Sequence, residues 1–432
     1  MKYYELHTHL YGSISPETLY EIGKNNSSPR WKVYTDLYYK LYNKEFNTEN
    51  FFEEYSDIQK FKELYLFNKK ARFLEFQCKF NLIIALTRFA DEEIRYIAEK
   101  VVSEHSLLGI QYAEYRLMYS PGSPKNIYYS KTKAACEGLK AGELKAGNLK
   151  ARLVVSLYRS AGYEEAYGWL KEFKKSDPII NEYLVGIDFC YIEEGFPPKE
   201  KKKFFEKVIN DNKNESDCSF SILYHVGESF NDKSLKSATR WVLESALNGA
   251  HRLGHCIALG INPEIYINKL LTESIEERID QINFELENYD EISGFGKISE
   301  KKLLIKELEN LTAKEPLAIM EIKINSSYIN EAFIFQEYAM DKIRTLGTVV
   351  ECCPTSNLLI GMLDSIKMHP IYRFKEKGLN IVVGSDDPGI FGISLPGEFE
   401  LLIKNGLSKD DADKLRISAF QFTSENLVKI KK

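Results

Sequence analysis

Eight short apolar runs, separated by stretches of helical period, constrain this chain more than any other feature. They lie at residues 3–9, 111–117, 152–157, 183–189, 221–226, 250–255, 347–352 and 379–384. All are rich in Val, Ile, Leu, Tyr and Phe, as strands of a buried parallel sheet are. Between them the helical period is plain. Residues 91–108, for example, place Ile94, Ile97, Ala98, Val101 and Val102 on one face. Strand–helix alternation sustained through eight strands predicts an α/β fold, a (β/α)8 TIM barrel. With 432 residues, 44% of them hydrophobic, the chain exceeds a minimal barrel but suits one barrel domain, 1–432, with insertions.

Two stretches exceed the minimal plan. Residues 22–80 are aromatic and charged and read as extra helices after strand 1. Between strands 6 and 7, Ile275, Ile279, Ile282, Leu286 and Tyr289 form a helical seam, and Gly294 and Gly296 follow. Ser299 has the chemistry of an N-cap for a second helix through Leu304, Leu308 and Leu311. Residues 262–325 are therefore expected to form an inserted helical hairpin. It is read first as a structural flap, and alternatively as a lid or a contact that makes a homo-oligomer. The near-repeat "GLKAGELKAGNLKA" at 138–151 is read as an amphipathic helix end running into strand 3.

A net charge of −5 gives no overall attraction to nucleic acid or anionic lipid. The seven cysteines are scattered and contain no CxxC pair, so neither a disulfide framework nor a zinc ribbon is indicated. Neither a signal peptide nor an apolar membrane-spanning run is visible. A cytoplasmic protein with a small-molecule substrate is expected, without nucleic-acid or membrane partners.

In such a barrel, functional side chains gather at the C-terminal ends of the strands. His7 and His9 end the first run, two apart and so on one face. His225 ends the fifth run in "YHVGE", His255 the sixth in "RLGHC", and Asp386 and Asp387 follow the eighth in "GSDDPGIF". Singly, each has an ordinary structural reading. Jointly, they place imidazoles and carboxylates on one rim. His7, His9, His225 and Asp386 form a donor set for one divalent cation per chain. Zn²⁺ suits it best, and Fe²⁺, Co²⁺ or Mn²⁺ are alternatives. Such a cation acidifies a bound water. His255 is then spare to orient that water or take its proton, and Glu228 is a carboxylic acid on the same rim.

"ELHTHLYGSISPETL", "HVGES", "HRLGHCIALG", "CCPTSNLLIG", "MHPI" and "GSDDPGIF" together resemble the adenosine deaminase family of metal-dependent hydrolases, in order and across nearly the whole chain. "GIQYAEYRLMYSP" and "YLVGIDF" are similar to that family's second and fourth strands. The resemblance implies a barrel with one metal, usually zinc, that exchanges the exocyclic amine of a 6-aminopurine for oxygen and releases ammonia. It implies His7, His9, His225 and Asp386 as ligands and Glu228 as the acid that protonates purine N1. His255 would be base and electrostatic partner, and Asp387 would hydrogen-bond N7. Tyr11 departs from the pattern, since adenosine-specific relatives carry an aspartate there for the ribose 5′-hydroxyl. Tyr191 stands near a position where relatives read glycine.

The first expectation is therefore deamination of adenosine or a related nucleoside. The alternatives are a 5′-substituted or modified adenine compound such as AMP, N6-methyl-AMP or adenine itself, and a barrel metallohydrolase of other specificity. The cytidine-deaminase type of zinc site is disfavoured because its HxE…PCxxC signature is absent. A two-metal site is disfavoured because strand 4 carries Asp188 and no lysine. A non-catalytic binding module ranks last, since no expected ligand or acid is missing.

Overall fold

The computed structural model describes residues 1–267, 269–361 and 363–430. Eight strands form one sheet in the order β1 (Tyr3–His9), β2 (Ile110–Met118), β3 (Lys150–Leu157), β4 (Leu184–Phe189), β5 (Ser221–Val226), β6 (Arg252–His255), β9 (Val349–Cys352) and β10 (Asn380–Val383). Every neighbouring pair is parallel. The sheet closes just beyond β10. The Asp386 N–H donates to His7 O at 2.9 Å, and the His9 N–H donates to Asp386 O at 2.8 Å. This is a (β/α)8 TIM barrel, and closure leaves it no exposed sheet edge.

The helices bury the faces expected of them. Helix Asp91–Leu107 buries Ile94, Ile97, Ala98, Val101 and Val102. Helix Lys125–Ala146 packs on it and ends at Gly147 with φ 71°, running directly into β3. Two glycines of the near-repeat explain the close packing. A Cβ on Gly138 would lie 2.3 Å from Arg95 O, and one on Gly142 would lie 2.5 Å from Val102 Cβ. After β1, helices Pro16–Lys24, Trp31–Tyr42, Phe51–Glu54, Ile58–Tyr65 and Phe73–Leu86 occupy the aromatic stretch. Tyr34, Phe51, Phe61 and Tyr65 are buried there.

The insertion between β6 and β9 holds helices Ile275–Glu287 and Lys301–Thr312. Arg278 pairs with Glu307, and Tyr289 reaches Ser299 O, so the two helices run antiparallel. Ile275, Ile282, Leu304 and Leu311 form their shared core. Two features differ from the sequence reading. A short antiparallel ribbon, β7 (Leu271–Ser274) with β8 (Ile319–Ile322), ties the base of the hairpin. Ser299 does not cap the second helix. Glu300 occupies the N-cap without a side-chain bond, and Ser299 Oγ donates to Glu331 instead.

The barrel centre carries charge where an aliphatic filling is usual. Glu5, Glu114, Arg252 and Glu351 are fully buried, and Arg116 nearly so. The Arg252 guanidinium donates to Glu351 at 2.6 Å, Glu114 at 2.5 Å, Leu6 O at 3.1 Å and Phe422 O at 2.8 Å. Removing it leaves the buried Glu114 without its cationic partner and Glu351 with Arg116 alone, which costs about 3–5 kcal/mol. Arg252→Leu is therefore expected to lower the urea midpoint by that equivalent, with the m-value unchanged. A shift below about 1 kcal/mol would contradict this account of the core.

Candidate metal centre

The ends of β1, β5, β6 and β10 bring the suspected residues to one place. The His7 ring lies 4.8 Å from His225, 4.9 Å from His255 and 5.8 Å from His9, centroid to centroid. His9 and His225 stack at 5.5 Å with 15° between their planes. Asp386 Oδ1 is 3.5 Å from His7 Nε2 and 3.1 Å from His9 Nδ1. Ligand atoms of His7, His9 and His225 all fall within 4.8 Å of one another. His255, Cys256 and Asp386 have φ of 66°, 53° and 60°. Left-handed backbone in non-glycine residues is uncommon and collects at working sites.

These residues fit a cation. His9 Nε2 and Asp386 Oδ1 are buried, and neither has a hydrogen-bond partner. Buried polar atoms without partners are what a metal would satisfy. Burial holds the His225 imidazole down to about 4, so it is neutral, as a ligand must be. Burial opposes charge on His9 too, but the Asp387 and Asp386 carboxylates outweigh it and hold that ring well above its ordinary range. Burial opposes charge on Asp386 as well, but the facing imidazoles of His7 and His9 outweigh it and hold that carboxyl well below its ordinary range. The donor set of imidazoles and carboxylate suits zinc-like ions.

The far nitrogens of two ligands are held by carboxylates that sequence reading did not assign. Asp188 Oδ1 is 3.0 Å from His225 Nδ1, and Glu351 Oε2 is 2.8 Å from His7 Nδ1. Both acids are fully buried. Asp188 stays ionised against burial through His225 and Arg116, and Glu351 through Arg116 and Arg252. Such partners fix ring orientation and raise ligand basicity. Asp188→Asn is expected to weaken metal affinity about 10–100-fold, read by chelator competition. Unchanged affinity would mean that His225 needs no such support.

Arg116 also stood outside the sequence prediction. Its Nη2 donates to Glu351 at 2.5 Å, and its Nη1 lies 2.9 Å from His7 Nε2 and 3.2 Å from His225 Nε2. A fixed guanidinium thus borders the ligand nitrogens from the barrel side.

Glu228 faces the same space. Its carboxylate is 3.4 Å from His255 Nε2, and its side chain keeps 29% of its surface exposed. Burial, then the Asp386 and Glu193 carboxylates, push its carboxyl well above the usual range, which favours its protonated form. Glu193 shapes this loop, accepting from the N–H groups of Gly227 at 2.9 Å and Glu228 at 3.2 Å. Asp387 Oδ1 lies 3.3 Å from His9 Nδ1. A Cβ on Gly12 would sit 1.6 Å from that oxygen, so the glycine after Tyr11 makes room for Asp387.

Tyr11 is half-buried against Phe89, 4.6 Å between centroids. Tyr191 has φ 74°, the backbone region that glycine favours, and its side chain is exposed. Cys353 also reaches the centre, with Sγ near His7 and Asp386. His251 and His105 are bound elsewhere, His251 Nδ1 accepting from Ile222 N–H and His105 Nδ1 pairing with Tyr115 Oη.

Fold and site together define a (β/α)8 barrel with a cluster of imidazoles and carboxylates on its C-terminal rim that fits a cation. The adenosine deaminase family model matches residues 55–276 and 334–424, well over half of the chain, which therefore belongs to that family. The unmatched residues between these blocks fall within the insertion and the helix after it. An adenosine deaminase of Shewanella loihica is 23% identical over 413 residues, 95% of this chain and 89% of that one. An adenine deaminase of Rhizobium leguminosarum is 37% identical over 81 residues, a match that spans only 25% of its length and 18% of this chain. Among solved structures, Arabidopsis ADAL complexed with IMP superposes with a TM-score of 0.58 at 18% identity, covering 99% of this chain and 95% of that one. An amidohydrolase of Burkholderia ambifaria with bound Zn gives 0.54 at 15% identity, covering 98% and 85%. No helix among the described residues is long and apolar enough to cross a membrane.

Proposed function

We propose that this chain is a zinc-dependent aminohydrolase that replaces the exocyclic amine of a 6-aminopurine nucleoside, such as adenosine, with oxygen and releases ammonia. The observation that carries this reading is the convergence of Glu228 and His255 on the cluster of His7, His9, His225 and Asp386. Metal binding alone needs neither a protonated acid nor a spare imidazole.

His7, His9, His225 and Asp386 would hold one zinc ion, which supplies a water acidified to a pKa of about 7. The chain's own residues do the rest. Glu228, in its protonated form, donates to purine N1 and so makes C6 electrophilic. His255 fixes the position of the attacking oxygen. Asp387 bonds N7 and orients the ring, and its contact with His9 supports that role. The zinc in the Burkholderia neighbour supports the choice of metal.

A second reading concerns the substrate's far end. Tyr11 presents a bulky neutral ring where a carboxylate would meet a ribose 5′-hydroxyl. This favours a 5′-substituted or base-only compound, and the IMP complex of the Arabidopsis neighbour supports the nucleotide form. Purified protein is to be incubated with adenosine, AMP, N6-methyl-AMP and adenine while the ultraviolet shift to the 6-oxo product is followed. Turnover of any one supports the reaction, and the best kcat/KM identifies the substrate. No turnover of the whole panel removes the deaminase reading.

A further inference from the structure

Two buried side chains beyond the cluster form a hydrogen-bond chain that ends on His255. The Ile371 backbone N–H donates to His369 Nδ1 at 3.1 Å. His369 Nε2 is 3.1 Å from Asn357 Oδ1, and Asn357 Nδ2 is 3.0 Å from His255 Nδ1. His369 is 2% exposed, and Asn357 and His255 are each 1% exposed, so no solvent competes for these bonds.

The direction of this chain follows from its first link. A backbone N–H can only donate, so His369 Nδ1 must accept and carries no proton. Burial holds the His369 ring down to about 3, so it is neutral and its single proton sits on Nε2. That N–H requires an acceptor, which is the oxygen of Asn357. The Asn357 amide is thereby oriented with its NH₂ toward His255. The opposite amide orientation would set an N–H group against an N–H group among fully buried side chains.

We propose that Asn357 and His369 are positioning residues that fix His255 in the tautomer with its proton on Nε2. The inference rests on the deaminase reading for its catalytic meaning but not for its structural content. With Nδ1 occupied by the Asn357 donor, His255 presents an N–H toward Glu228 and the metal cluster. It therefore acts on the attacking oxygen as a hydrogen-bond donor and does not serve as its first base. The fixed tautomer matters because an imidazole in the wrong one offers a lone pair where a proton is needed.

The test uses full-length, metal-loaded protein with ¹⁵N-labelled histidine. Nuclear magnetic resonance of the imidazole nitrogens distinguishes protonated from bare nitrogen, with the His255 signals assigned by their loss in His255→Gln. The expected spectrum shows His255 protonated at Nε2 and bare at Nδ1. In Asn357→Asp the donor becomes an acceptor, so the proton is expected to move to Nδ1. kcat should then fall about 10²–10⁴-fold with KM changed less than about threefold and metal content unchanged. His369→Gln retains a donor toward Asn357 and is expected to keep both the tautomer and kcat within about fivefold, whereas His369→Leu should lose about tenfold or more in kcat. A wild-type His255 protonated at Nδ1 overturns the proposal, as does an Asn357→Asp protein with unaltered tautomer and kcat. If that variant does not fold, the wild-type spectrum alone still decides. If wild-type protein turns over no aminopurine, the function reading fails while the tautomer is still decided by the spectrum.

Discussion

Glu228→Gln is expected to lower kcat about 10²–10⁴-fold while leaving the metal in place. Glutamine keeps the size of the side chain and can donate a hydrogen bond, but it cannot give up a proton. The wild-type carboxyl is held well above its ordinary range by burial, then by the Asp386 and Glu193 carboxylates, which favours its protonated form. A group in that state works below its raised pKa, and activity should decline as pH rises through it. The alkaline limb that Glu228 causes should be missing from the glutamine variant. Steady-state kinetics across pH, with metal content measured on both proteins, checks this. A variant within threefold of wild type would remove Glu228 from the chemistry and return the site to plain metal binding.

Stripping the metal is expected to have the other large effect. A strong chelator should abolish turnover, and about one equivalent of Zn²⁺ per chain should restore it. Removal leaves His9 Nε2 and Asp386 Oδ1 buried and without partners, so the unloaded protein should also be less stable. Ligand linkage makes the gain on reloading about 4 kcal/mol when free metal exceeds its Kd a thousandfold, which thermal unfolding reads directly. Two metals per chain on elemental analysis would favour a hydrolase of other specificity. Full activity in protein verified as metal-free would exclude a catalytic cation altogether.

The strand ladder was legible because parallel barrel strands are short, apolar and separated by helices of clear period. The spans predicted at 3–9 and 221–226 coincide with β1 and β5, and the other six differ by one or two residues at one or both ends. His7, His9, His225, His255 and Asp386 were legible because polar residues at the ends of apolar runs have few reasons to be there. The ribbon β7–β8 was not, since "LTES" and "IMEI" are short and largely outside the core, with no buried run to mark them. The Ser299 cap failed for a local reason: its hydroxyl found Glu331, a partner from another helix, before it could find a backbone N–H.

The charged interior was hidden in a different way. Glu114, Arg116 and Glu351 lie inside strands, where a lone charge reads as an outward-facing residue. Only closure of the barrel turns them toward one another and toward His7. His369 is the sharpest case, since it stands away from every strand end and yet reaches the site through Asn357.

By itself the sequence determined the fold class, the ends of the strands and the identity of the residues that meet at the rim, because periodicity and chemical type are local properties of a chain. Tertiary structure alone decided which carboxylate backs which imidazole, how the Asn357 amide is turned and where the charged core finds its partners. Those are pairings at ångström range between residues tens to hundreds of positions apart, and no local pattern encodes a distance that only closure of the barrel creates.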